Sequence, residues 1–153
     1  MFSVDDPRAE DVRALLEQHL AFAHEHTPRE HAYALDTGGL LDPAVTLCSY
    51  RRGGLLLAVG ALKRLDERHA EIKSMHTAQA ARGRGAGRAM LTHLIGLARA
   101  RGCLRVSLET GTMAAFGPAR SLYTSAGFRP CGPFGGYQPS PHNTFMTLEL
   151  PGG

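Results

Sequence analysis

One segment constrains this chain more than any other: IKSMHTAQAARGRGAGRAMLTHLI, residues 72–95, in which a strand runs through a glycine-dense turn directly into a helix. His69 to Thr77 alternates as a strand does, with Ile72, Ser74 and His76 facing away from Glu71, Lys73, Met75 and Thr77. Met90, Leu91, Leu94 and Ala98 then recur on one helical stripe that ends near Gly102. A turn between such elements leaves backbone N–H groups unpaired at the positive end of a helix dipole, which is a site for anions. Gly83, Gly85 and Gly87 let a pyrophosphate approach the main chain, and Arg82, Arg84 and Arg88 add positive charge. The P-loop pattern GxxxxGK[ST] is absent. The dinucleotide pattern GxGxxG fails, because Gly83-Arg84-Gly85 is followed by Ala86-Gly87-Arg88. The pattern [RQ]xxGx[GA] fits, as Arg82-Gly83-Arg84-Gly85-Ala86-Gly87.

The elements around this segment read as a mixed α/β sheet. Asp6 and Pro7 predict the cap and first position of a helix over 7–23, with Val12, Leu15, Leu16, Leu20 and Ala23 on its apolar face. Residues 24–43 read as loops around a short helix. Val45–Arg51, Leu55–Leu65 and His69–Thr77 form an antiparallel meander, turning at Gly53-Gly54 and at Asp66-Glu67-Arg68. Leu104–Glu109 alternates as a strand. The intervening helix predicts that it lies parallel to His69–Thr77 through a right-handed crossover. A helix over Pro118–Ala126 stops at Gly127, and Phe128–Cys131 and Asn143–Leu150 are the last strands. With 153 residues, no repeats and no linker, residues 1–153 are expected to form a single domain.

Composition excludes several functions. Cys48, Cys103 and Cys131 are odd in number and lack CxxC spacing, so neither a disulfide framework nor a zinc ribbon is predicted. His19, His24, His26 and His31 form no HExxH and have no cysteine partner, so no metal is expected. A net charge of +3 without a Lys/Arg run or a tryptophan argues against nucleic acid. No apolar stretch approaches the ~20 residues of a membrane span, which predicts a soluble, cytoplasmic protein that does not enter a membrane. An exposed final strand would allow a homodimer.

A second motif, SLYTSAGF over Ser121–Phe128, follows the phosphate turn at the distance of one helix and one strand. Over about residues 45–131, the pair resembles the GNAT superfamily of acyl-CoA-dependent N-acetyltransferases. The resemblance implies two parallel strands that splay around the pantetheine arm of acetyl-CoA. It also implies backbone N–H groups of Arg82 through Gly87 on the pyrophosphate, the segment Met75-His76-Thr77 along the thioester, and Tyr123 near the cofactor sulfur. Where many members hold an asparagine seven residues before the tyrosine, this chain has Phe116.

The chemistry supports these positions independently. Aminolysis of a thioester expels a thiolate, and a phenol of pKa about 10 can protonate it, which suits Tyr123. The attacking amine must first lose a proton. Glu71 is the expected base, on the strand face shared with Met75 and Thr77. Glu109, at the carboxyl end of the parallel partner, competes with it. His76 points away from Met75 and Thr77 and reads as a packing residue. The loop CGPFGGYQPSPHNTF offers Phe134, Tyr137 and His142 as a substrate wall. The expected activity is direct transfer of an acetyl group from acetyl-CoA to the amine of a small-molecule acceptor in a ternary complex. The alternative is a non-catalytic acyl-CoA-binding module on the same fold.

Overall fold

Short polar turns order one half of the sheet, and a helical crossover orders the other. The computed structural model describes residues 1–28, 31 and 33–151. Its elements are β1 (Phe2–Val4), α1 (Glu10–His26), α2 (Thr37–Leu40), β2 (Val45–Arg52), β3 (Leu55–Arg64), β4 (His69–Thr77), α3 (Ala86–Ala100), β5 (Arg105–Gly111), α4 (Gly117–Ser125), β6 (Arg129–Cys131) and β7 (Asn143–Glu149). Gly53 and Gly54, with φ of 59° and 81°, make the β2–β3 turn, a conformation that closes tight hairpins and suits glycine. The turn into β4 is fixed by Asp66, whose carboxylate accepts the Arg68 N–H at 2.8 Å.

The strands form one seven-stranded sheet in the order β1-β2-β3-β4-β5-β7-β6. All pairs are antiparallel except β4 with β5, which the α3 crossover makes parallel. This is the mixed sheet with a central parallel pair that the sequence predicts. The final strand is not an exposed edge, however: β7 lies between β5 and β6, so the edges are β1 and β6, each of three residues. The first helix begins at Glu10 rather than residue 7. Asp6 instead organises a turn, accepting the Arg8 N–H at 2.8 Å and the Arg8 guanidinium at 3.0 Å. Helix α3 begins at Ala86, which draws Gly87 into its first turn, and β5 runs two residues past Glu109 to Gly111.

Two apolar layers enclose the sheet. Met90, Leu91, Leu94 and Ala98 of α3 pack on Leu62, Ile72, Val106 and Leu108, while Val12, Leu15 and Leu16 of α1 pack on Leu47, Val59 and Ala61. Burying each such leucine or isoleucine contributes about 1.5–3 kcal/mol. Helix α3 rides close to β3 because Gly60 has no side chain; a Cβ there would lie 2.8 Å from Leu94 Cδ1. The opposite face of the central pair is polar: His69, Glu71 and Ser107 are buried there. No helix among the described residues is long and apolar enough to cross a membrane.

Candidate active site

The site begins where the parallel pairing stops. Strands β4 and β5 are in register from His69↔Arg105 to Ile72↔Leu108, and beyond that point they diverge. At the same place β4 bulges. Val59 pairs with His76 and Ala61 with Lys73, so Ser74 and Met75 together oppose Gly60. Ser74 takes a φ of 56°, a left-handed conformation that a residue with a Cβ adopts at a cost of about 1–2 kcal/mol.

The bulge reverses the alternation expected from the sequence. Glu71 does not share a face with Met75 and Thr77. Glu71 and Lys73 face the α1 side, as does His76, whose ring lies 5.3 Å from that of His19 and 6.4 Å from that of Phe22. Met75 turns toward Leu94 and Met90 beside Gly60, and Thr77 Oγ1 lies 3.3 Å from the position of a Cβ on Gly87.

Two cavities open on either side of the splay. The larger, a crevice of ≈ 570 Å³, brings together most of the residues that the motif nominates. Met75, His76 and Thr77 form one wall. Arg82, Gly83, Gly85, Ala86, Gly87 and Arg88 form the floor, and Tyr123 of α4 closes the far end. Arg84 is exposed and does not line it. Gly83 and Gly85 have φ of 76° and 82°, and a Cβ at either would meet nothing within 4 Å, so these glycines serve backbone conformation rather than packing. The N–H groups of Ala86, Gly87 and Arg88 belong to the first turn of α3 and have no intrahelical acceptor. Arg82 Nε donates to the Thr77 carbonyl at 3.4 Å, and Arg88 donates to Ser125 Oγ at 2.8 Å, tying α3 to α4. An open turn with free amides and two guanidinium groups fits a diphosphate.

The second cavity, ≈ 110 Å³, lies on the polar face and is built mostly from side chains. Its walls come from α1 (His19, Ala23), the segment after it (His31, Tyr33, Ala34), β4 (Glu71, Lys73, Ser74), β5 (Glu109, Gly111) and the start of α4 (Phe116, Ala119). Met75, Ala119 and Tyr123 border both cavities. Phe116, standing where the resemblance implies an asparagine, packs edge-on to Phe22 at 5.2 Å and lies over Gly111, where a Cβ would come within 2.3 Å of its ring.

The two candidate carboxylates have different partners. Glu71, 2 % exposed, accepts from Lys73 Nζ at 3.1 Å and from the Tyr137 hydroxyl, and Lys73 Nζ also donates to Tyr137 at 2.5 Å. Glu109 is half-buried and accepts at 2.8 Å from Asn143 Nδ2, whose amide also donates to the His31 carbonyl at 2.8 Å. Burial pushes the Glu109 carboxyl above its ordinary value, and the Asn143 hydrogen bond offsets only part of that. Burial, with Glu109 nearby, pushes the Tyr123 phenol up to about 12. His19 and His76 are both pushed down to about 4, each chiefly by burial, so both imidazoles are neutral at pH 7 and neither takes a proton there. Cys48, Cys103 and Cys131 line neither cavity, and burial raises all three thiols.

Several wall residues carry no local signal. His19, Phe22, Tyr33 and Asn143 reach the site only through tertiary packing. The loop reading comes closer: Tyr137 meets Glu71 and Lys73, Phe134 lies 5.8 Å from His69, and His142 lies 5.1 Å from His31.

The acetyltransferase (GNAT) family model matches residues 10–128. The uncharacterized N-acetyltransferase YsnE of Bacillus subtilis is 43% identical over 147 residues, covering 96% of this chain and 97% of its own. A solved structure from Klebsiella pneumoniae, assigned as an acyl-CoA N-acyltransferase, superposes with a TM-score of 0.83 at 27% identity, covering 98% of this chain and 97% of the other. A GNAT structure from Elizabethkingia anophelis, with a TM-score of 0.69, 18% identity and coverage of 98% and 99%, contains acetyl-CoA.

Proposed function

The chain belongs to the acetyltransferase (GNAT) family and is an acyltransferase, and from that premise we propose that residues 1–153 form one catalytic domain that moves the acetyl group of acetyl-CoA to a small primary amine. The observation that carries this reading is the meeting of two cavities at Tyr123, one floored by free amides and arginines, the other holding a half-buried carboxylate of raised pKa. Main-chain N–H groups of Gly83 through Gly87 hold the diphosphate, the Arg82 N–H being engaged by the Gln79 carbonyl at 3.3 Å, with Arg82 and Arg88 supplying charge. The Met75-His76-Thr77 segment lies along the pantetheine arm, and the Met75 N–H polarises the thioester carbonyl.

An alkylammonium of pKa about 10 must lose its proton before it attacks. Glu109 suits this role better than Glu71. Its raised pKa brings it closer to that of its target, whereas Glu71 is already engaged by Lys73 and Tyr137. Tyr123 then protonates the departing sulfur. Its phenol, pushed up to about 12, stays protonated at every working pH, and the burial that raises it also raises a thiol leaving into the same crevice. Transfer is direct, with no acyl-cysteine, since no cysteine lines either cavity.

The test is thiol release from acetyl-CoA with a panel of amines, run beside a calorimetric titration of acetyl-CoA alone. Binding with amine-dependent thiol release is expected; no heat at millimolar acetyl-CoA would overturn the reading. Tyr123→Phe should lower kcat by ~10² while leaving acetyl-CoA affinity within about twofold, because the phenol acts as charge develops on sulfur.

A further inference from the structure

Resting on that reading, we infer that the acceptor is a small amine that carries no carboxylate, and that the charge inventory of the 110 Å³ cavity selects it. Among the described residues, Glu71, Lys73 and Glu109 bring the carboxylate and ammonium charges to this space. From α1, His19 is buried and neutral. From β4, Glu71 and Lys73 are paired at 3.1 Å with both side chains buried, and Tyr137 from the loop hydrogen-bonds to each. From β5, Glu109 has only an amide partner, Asn143. The pair cancels itself, which among the described residues leaves the Glu109 carboxylate as the charge in the lining without a counterion. An arriving ammonium supplies that counterion and is the very group that must be deprotonated.

An acceptor carboxylate finds no such complement. Among the described residues, Lys73 is the only lysine or arginine in the lining, and Glu71 already neutralises it. A substrate carboxylate would sit among two protein carboxylates in a small space, where the repulsion is poorly screened. The hydrogen-bonding capacity that remains is different in kind. Ser74, 7 % exposed, and His31 both line the cavity, and the Ser74 hydroxyl and His31 Nδ1 have no hydrogen-bond partner among the described residues. Such buried orphans call for a ligand hydroxyl or N–H. The rest of the wall carries no charge: Thr27, Tyr33, Thr110 and Tyr123 stand among apolar Ala23, Ala34, Phe116 and Ala119. The cavity is about one fifth of the cofactor crevice in volume, which limits the acceptor to a small body.

The experiment uses matched pairs that differ in the carboxylate: tyramine with tyrosine, ethanolamine with serine, alaninol with alanine. Each is assayed for thiol release, and separately for binding to the enzyme–CoA complex by saturation-transfer NMR. The amine of each pair should exceed its amino acid by at least about tenfold in kcat/KM. Glu109→Gln should shrink the binding preference within each pair, since it removes the charge that draws the cation. Equal or better use of the amino acids would overturn this inference and leave acyl transfer standing. Binding that favours the amines without any thiol release would uphold the selection and overturn the transfer reading. Absence of binding by every pair member at tens of millimolar would overturn the inference.

Discussion

The crevice and the acceptor cavity share Tyr123 and are built in opposite ways. Most of the crevice comes from one continuous stretch, Met75 to Arg88, completed by α4, and its recognition surface is largely main chain. The acceptor cavity gathers side chains from α1, the segment that follows it, β4, β5, α4 and the loop before β7. A site made of backbone is specified by what keeps side chains out of the way, so it is written in glycine spacing. A site made of side chains is specified by which strands and loops become neighbours, and that information is spread over the whole chain. The two sites should therefore fail separately when mutated.

The sharpest test of that separation is Glu109→Gln. Turnover at neutral pH should fall by ~10²–10⁴, with recovery toward alkaline pH, where the free amine forms unaided. Acetyl-CoA affinity should be unchanged by calorimetry. The wild-type profile should lose activity on the acid side through a pKa above the ordinary carboxylate value, because burial favours the protonated form. The same shift has a stability sign. The folded state holds this proton more tightly than the unfolded chain, so stability falls as pH rises from the ordinary value through the raised one. Glu109→Gln should thus melt higher than wild type at pH 7 while working worse. A melting temperature that drops instead would mean the carboxylate is part of the packing.

The next largest effect belongs to the crevice. Gly85→Ala meets no atom within 4 Å, yet its φ of 82° is left-handed, so the substitution costs about 1–2 kcal/mol of backbone strain. The turn relaxes by moving its amides. Acetyl-CoA affinity should weaken about tenfold while the acceptor KM, measured at saturating acetyl-CoA, stays put. A change in acceptor KM of the same size would break the comparison.

What was legible in the sequence follows the same division. The Gly53-Gly54 hairpin and the α3 crossover are local events with local signatures and stand as read; the glycine turn after Arg82 is equally local but ends at Gly85, where α3 is capped. The bulge was not legible at Ser74: serine carries no mark of a left-handed conformation, and the residue the bulge opposes, Gly60, lies on the neighbouring strand. That one residue moved Glu71 to the other face from Met75. The position of β7 inside the sheet was equally hidden, because strand order depends on pairing between residues about 40 apart, such as Leu108 with Met146. Asn143 reads as the start of a strand; that it holds Glu109 and reaches the His31 carbonyl is a consequence of that pairing. Tyr137 is the intermediate case, flagged by its loop but given its partners only by the fold.

Tyr137→Phe sharpens the contrast at smaller scale. It removes the hydroxyl that bridges Glu71 and Lys73 but keeps the ring, which packs 4.7 Å from that of Tyr33. The Glu71–Lys73 pair survives, and loss of one hydrogen-bonding group among charged partners costs about 1.5–3 kcal/mol at most. The acceptor KM should rise several-fold, with acetyl-CoA binding unaffected. An equal loss in both would show that the loop supports the crevice as well.

The smallest effect is expected at Arg84, and it decides how the crevice holds its anion. If guanidinium charge dominated, the three arginines of the turn would matter alike. The geometry distinguishes them: all three are exposed, but Arg82 and Arg88 line the crevice, anchored to the Thr77 carbonyl and Ser125, while Arg84 stands outside it. An exposed charge a few ångströms from a solvated phosphate contributes about 0–1 kcal/mol and is screened by salt. Arg84→Ala should therefore weaken acetyl-CoA binding by no more than about twofold at 0.15 M salt, and the difference should vanish at 0.5 M. Arg82→Ala and Arg88→Ala should each cost more, and part of that loss should persist at high salt because their tethers also hold the turn. A tenfold loss at Arg84 would place the anion on the outer face of the turn, and the glycine amides would then be bystanders.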